Sequence, residues 1–451
     1  MNQTVSMKLA EYAASTSIDR IPAPIRERAK QVIMDEMASA YFGRRSLGGG
    51  LAAKYAMSLG AGQESLILGT RSYASAPYAA LANGSAGHGE EVDGAHVIGG
   101  HPGATLVHAA VAIAERQRVS GAELVNAVVL GYDVAIRLVE ACGGKFSLKK
   151  RNHLYSDFLF SVGAAVAGCR LLGLDPIRHC YAMALVTFQT NALACLYQEK
   201  RHISKSLCNG QFAFAGVSAT LMSAVGLEGV EDIVGTRDGL LEAWGAEGGS
   251  DAVTRQLGDD WSILGGNFKF INAGYPIHAA VEAATKAAAD NGINPASIES
   301  VLIGMPENAM RVVNGREMHN ICVQDIVSAA LIQGGRLSLR DSPFPDMLQD
   351  PVFMRLRACV TVGIDEGLNR DQPDGRGSNV TITTVDGAKV SCRVDHPRGH
   401  SLRGGASWAE LSEKWHEGLP ECDVARMIAL SQGLEDLEDV KTLTDTFRSA
   451  N

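Results

Sequence analysis

At 451 residues, 46% of them hydrophobic, the chain exceeds the size at which one hydrophobic core usually stops growing, so two or three domains are expected. A formal net charge of −9 argues against general nucleic-acid binding, which calls for a basic surface that neutralises phosphates. The nine cysteines are scattered without C-x-x-C or zinc-type spacing, residues 1–20 carry no basic stretch leading into an apolar run, and no segment approaches the length of a bilayer span. No disulfide framework, export signal or membrane association is expected, and the location expected is the reducing cytoplasm.

The first 265 or so residues read as successive helices. Ile25, Ala29, Val32, Ile33, Met37 and Ala40 keep helical spacing across 24–41, with Pro24 near the first turn and Gly43 past the end. Gly48-Gly49-Gly50 and Gly60-Ala61-Gly62 lack the Lys-Ser/Thr of a P-loop and the strand context of a dinucleotide fingerprint, and read as turns. Ser120-Gly121-Ala122-Glu123 has capping-box spacing before a long apolar helix, and Asp175-Pro176 opens another. The small residues of 163–168 let helix backbones approach closely, in a dense core or a helix-paired interface. Beyond about Gly265 the texture turns to α+β: Ser300 to Gly304 alternates like a strand, and Val380 to Val394 reads as two strands joined at Asp386-Gly387. The polar, Gly-rich run from Asp371 to Gly377 reads as a loop. Helical signals return after His400, with a second capping-box pattern at Ser407-Trp408-Ala409-Glu410. The fold class is therefore mainly α: a large all-helical domain, 1–265 and 400–451, interrupted by a smaller α+β lid domain, 266–399.

Four clusters carry chemistry. In the first, His88, Glu90, Glu91, Asp93 and His96 run into His101-Pro102-Gly103, where an imidazole at a helix start either meets an anion or merely packs the helix. His88, Glu91, Asp93, His96 and His101 offer nitrogen and oxygen donors, yet their spacing matches no ligand pattern and no metal is assigned. The second is His153, in a polar stretch before the small-residue helix. Arg201, His202 and Lys205 precede another small-residue helix and form the third, Lys205 being suited to neutralise a carboxylate. The fourth, Lys269 and His278, stands at the entry to the α+β segment, where domain junctions form clefts.

In this order and at these separations, the four clusters resemble the MmgE/PrpD family, which includes 2-methylcitrate dehydratase, cis-aconitate decarboxylase and iminodisuccinate epimerase. The resemblance rests on Asn83-Gly84, His88, Glu91 to Ala95, His101-Pro102-Gly103, His153 ahead of Leu171-Leu172-Gly173-Leu174-Asp175, Lys205, Lys269, His278 and the run from Asp395 to His400. Departures stand beside the matches: Glu91 replaces an Asp, Gly94 and Ala95 replace Asp and Thr, Cys208 replaces a His, and Asp325 falls where an active-site tyrosine is common.

The resemblance implies a lyase, foremost a dehydratase, acting on a small di- or tricarboxylate without metal or cofactor, and a homodimer. An isomerase or epimerase of similar acids, or an inactive binding or assembly protein, are the alternatives. The catalytic set it implies is His101, His153, Lys205, Glu91 and Asp93, with Lys269, His278, His88, Asp325 and Arg201 binding substrate. Lys205 and Lys269 are expected to clamp substrate carboxylates, one of His101 and His153 removes a proton and the other returns one, and Glu91 or Asp93 orients a histidine.

Overall fold

The structure is a computed structural model that describes residues 3–59, 62–201, 203–337, 339–340, 344–372 and 375–449. It is mainly helical, with a small mixed sheet in the second half. Helix Ala23–Gly43 runs through the first core, and its register follows the apolar spacing of Ile25, Ala29, Ile33 and Met37, all buried. Gly43 belongs to this helix rather than lying past it. A Cβ there would stand 2.0 Å from the Ala86 carbonyl oxygen, so the glycine lets two helix ends touch.

The glycines of 48–50 are also helical, within Leu47–Ser58, and are not a turn. Ser46 Oγ accepts from Gly49 N at 3.1 Å, and a Cβ on Gly49 would lie 2.6 Å from the Gly43 carbonyl oxygen. Capping and close packing here outweigh the low helix propensity of glycine. Of the other glycine run, Gly60 and Ala61 lie outside the described residues.

Helix Gly121–Ala141 starts at Ser120, whose Oγ accepts from Glu123 N at 3.3 Å; the Glu123 carboxylate turns to Arg170 at 3.2 Å instead of closing a capping box. Both halves of the box are present at Ser407 and Glu410, ahead of helix Trp408–Gly418. Helix Phe160–Leu171 packs its small face into the core. A Cβ on Gly163 would lie 2.3 Å from the Gly131 carbonyl oxygen of the neighbouring helix.

A second buried core, reaching from Ala273 to Val394, surrounds a four-stranded sheet. Strand Val360–Ile364 pairs parallel with Ile298–Met305, which pairs antiparallel with Ser378–Thr384, and that strand forms a hairpin with Lys389–Val394. Gly387, at φ 85°, makes the hairpin turn at the Asp-Gly step. Asp371 ends helix Glu366–Asp371, residues 373–374 lie outside the described ones, and 375–377 form no regular element.

Two backbone ties fix the entry of the α+β segment beside the first cluster. Ala95 and His96 of the helical body pair antiparallel with Asn267 and Gly266, and Phe268 N donates to the Gly399 carbonyl at 2.9 Å, which draws the two ends of the segment together. These ties place Lys269 behind Glu91. Among the described residues no helix is long and apolar enough to cross a membrane, and all nine cysteines are free thiols.

Candidate active site

The segment after helix Ala76–Gly87 turns back through Glu91, whose φ of 52° is left-handed and rare for a side chain of this kind. That turn drives its carboxylate inward among cations. Glu91 accepts from Lys269 Nζ at 2.9 Å and from Lys205 Nζ at 3.4 Å, and lies 3.3 Å from His88 Nε2. Asp93 Oδ2 stands 2.9 Å from both His88 Nδ1 and His101 Nδ1, and its Oδ1 accepts from Lys269 at 3.3 Å. All six residues are buried.

Burial opposes charge on Glu91, but Lys205, Lys269 and His88 outweigh it and hold the carboxyl well below its usual range. Asp93 is likewise held well below, against burial, by His88, Lys269 and His101. His88 is raised: burial and Lys205 lower it, but Asp93 at 2.9 Å from Nδ1 and Glu91 at 3.3 Å from Nε2 prevail. Lys269 is raised by the same carboxylates against burial. His88, Lys205 and Lys269 therefore surround the two carboxylates.

His101 is the neutral member. It precedes helix Pro102–Gln117, and Asp157 Oδ2 fixes its backbone by accepting from His101 N at 3.0 Å. Nδ1 lies 2.9 Å from both Asp93 Oδ2 and the Gly94 carbonyl, so it carries the hydrogen. Nε2 then keeps its lone pair and accepts from Lys205 Nζ at 3.3 Å. Burial, with Lys205 beside it, brings His101 down to about 3.

His101, Lys205 and Glu91 open onto a cavity of about 100 Å³. The 95–100 turn, helix Lys145–Asn152 and Tyr197 form its walls on the helical side, with Tyr275, Val312, Ile321 and Arg376 facing them from the α+β segment. Lys145, Lys149 and Arg376 add positive charge to that wall, which suits a small anion with more than one carboxylate.

Residues 7–249 match the model of the MmgE/PrpD N-terminal domain, and residues 272–430 that of the MmgE/PrpD C-terminal domain. The chain belongs to the MmgE/PrpD family. A cis-aconitate decarboxylase of Aspergillus terreus (strain NIH 2624 / FGSC A1156) is 23% identical over 421 residues, covering 88% of this chain and 85% of that protein. A cis-aconitate decarboxylase-like protein, oryM, of Aspergillus oryzae (strain ATCC 42149 / RIB 40) is 25% identical over 297 residues, 62% of this chain and 61% of its own. Membership supports an enzyme of lyase or isomerase type acting on a small polycarboxylate.

In this MmgE/PrpD chain His88, Glu91, Asp93, His101, Lys205 and Lys269 converge; other residues expected at the site do not. His153 ends helix Lys145–Asn152 in a left-handed conformation, φ 58°, and its side chain is exposed and outside the cavity wall. That turn sends Asp157 inward in its place. Lys269, expected to clamp a substrate carboxylate, is fully buried with its ammonium on Glu91 and Asp93 and does not line the cavity. His278 is buried behind the site with Nε2 at 3.1 Å from the Ala273 carbonyl, and burial and Lys269 lower it to about 3. Asp325 is bound by His319 Nδ1 at 2.6 Å and by Arg357, away from the cavity. Arg201 borders a separate surface groove, and its neighbour His202 lies outside the described residues.

Sequence reasoning missed Lys145, Lys149, Tyr197, Tyr275 and Arg376 on the cavity wall. The basic run at 145–151 was the available signal, but such a run reads equally as a solvated helix face. Donor atoms of His88, Asp93 and His101 lie within 4.8 Å of one another, close enough to hold an ion. Lys205 and Lys269 already supply positive charge to this neighbourhood, so a divalent cation there would meet two ammonium groups.

Proposed function

We propose that this MmgE/PrpD protein is a lyase that eliminates water from a small di- or tricarboxylate, starting with removal of a proton from the carbon next to a carboxylate. The observation that carries this reading is His101 Nε2, an unprotonated nitrogen at the cavity wall, 3.3 Å from the Lys205 ammonium. A substrate carboxylate would pair with Lys205, and His101 Nε2 would take the adjacent proton. The C–H electrons would move into an enediolate held by the ammonium, then form the double bond as the C–O bond of the neighbouring carbon breaks.

The low basicity of His101 suits this sequence. Lys205 is one of its causes, so an anion that neutralises Lys205 raises the basicity of Nε2 when substrate is bound. The base is then switched on by its own substrate.

Decarboxylation is a second reading, favoured by the names of the relatives. Carbon dioxide would leave first, and the same ammonium would hold the carbanion until a proton reaches it.

The test is incubation with citrate, cis-aconitate, malate and aspartate in heavy water, followed by NMR. Deuterium next to a carboxylate together with new olefinic signals is the expected result. Exchange without an alkene would point to an isomerase, release of carbon dioxide from cis-aconitate to the second reading, and inertness toward every acid would end the lyase reading.

A further inference from the structure

The elimination leaves one proton without a donor, the one that departs with the hydroxyl. We infer that Lys145 supplies it, as the acid–base partner of His101 in the same cavity.

Lys145 is the first residue of helix Lys145–Asn152, and its stem crosses the 97–100 turn to reach the cavity. Gly99, at φ 106°, makes that passage: a Cβ there would stand 2.5 Å from Lys145 Cδ. Among the described residues the Lys145 ammonium makes no hydrogen bond or ion pair; its near neighbours are the rings of Phe146 and Tyr197, each with its centroid 5.9 Å away. Lys205 and Lys269, by contrast, both rest on carboxylates. Lys145 is thus a cavity lysine whose donors are free for a ligand.

Its surroundings favour loss of a proton. Burial and the positive charges of Lys205 and Arg376 lower it to about 7, against the opposing influence of Asp157 and Glu91. The helix start beneath it adds the positive end of the dipole. A donor that ionises near neutrality both gives and regains a proton readily. Tyr197 and Tyr275 also line the cavity, but burial moves both phenols above their ordinary value, which makes them weaker acids.

The inference rests on the elimination reading. On proton abstraction, His101 gains H⁺ and the C–H pair becomes the double bond. The C–O pair leaves with oxygen, which takes H⁺ from Lys145 and departs as water. Solvent then returns a proton to Lys145 and removes one from His101.

Lys145→Arg keeps the charge but cannot release a proton at neutral pH. With whichever acid of the panel the wild type dehydrates, the variant is expected to retain deuterium exchange next to the carboxylate and to lose alkene formation by about 100-fold or more. Alkene formation at the wild-type rate would overturn the role of Lys145. A wild type that neither exchanges nor eliminates with any acid would instead overturn the elimination reading, so the two failures are distinct. A readout on the unmodified chain needs no substrate: competitive acetylation by acetic anhydride, followed by mass spectrometry. Lys145 is expected to half-react near pH 7 and to be protected by tricarballylate, a tricarboxylate with no hydroxyl to lose. Reaction in step with the surface lysines and no protection would overturn the assignment.

Discussion

Asp93→Asn removes one of the two carboxylates that pair with the lysines and histidines of the site. The carboxylate faces His88, His101 and Lys269 at 2.9, 2.9 and 3.3 Å, and none of these contacts reaches solvent. An amide of the same shape keeps one acceptor oxygen but brings an N–H₂ against donors, and the cluster loses one of its two carboxylates. Breaking a buried pair in this way costs about 3–5 kcal/mol. With a urea slope of about 3 kcal/mol per molar, the first unfolding transition should move down by about 1 M or more. Adding Lys269→Met removes a cation that Asp93→Asn leaves short of a partner, so the double variant should lose at least about 1 kcal/mol less than the sum of the single losses. A shift worth under about 1 kcal/mol for Asp93→Asn, or strict additivity in the double variant, would refute the pairing of Asp93 with Lys269 as a support of the site.

Two further outcomes follow from the same geometry. Lys205→Met should lower kcat/KM by about 100-fold or more, the scale expected for loss of a group that stabilises developing negative charge. In the same variant His101 should titrate higher, because Lys205 is one of the groups that lower it; histidine NMR titration would detect a value that stays put, contrary to this account. The second outcome concerns pH. Glu91 and Asp93 are depressed in the folded chain, so the stability that they contribute is complete above the ordinary carboxylate value near pH 4 and is lost as pH falls through their lower folded values. The stability difference between wild type and Asp93→Asn should therefore hold between about pH 5 and 6, where the raised His88 keeps its proton in both the folded and the unfolded chain, and shrink below about pH 4. Thermal unfolding at a series of pH values checks this, and a difference that already fades between about pH 6 and 5 would contradict the assigned ionisation.

Much of the fold was legible because local chemistry and tertiary packing agree. The Asp386-Gly387 hairpin, the Ser407 capping box and the helix at His101-Pro102 each follow from a backbone group needing a partner or from a φ that glycine or proline supplies. Gly48-Gly49-Gly50 misled because propensity describes an isolated helix, whereas this one is pressed against the 76–87 helix. At the candidate site, residue type and order pointed to His101, Lys205 and the carboxylates, which lie within a few residues of recognisable helix ends and which the fold brings together. Orientation was not legible. One left-handed residue at position 153 turns a histidine outward and Asp157 inward, and no spacing rule records such a turn. Lys269, expected at the substrate, rests on carboxylates, while Lys145, which the sequence did not single out, lines the cavity: only the folded chain decides which lysine meets a carboxylate and which meets a cavity.

The pair His101 and His153 tests the account most directly, because both were sequence candidates for the base and only His101 opens onto the cavity. With an acid turned over by the wild type, exchange of the proton next to its carboxylate is measured by NMR in heavy water for His101→Asn and His153→Asn. The geometry predicts that His101→Asn abolishes exchange while His153→Asn leaves it within about threefold of wild type. Loss of exchange in His153→Asn, with His101→Asn still active, would contradict it.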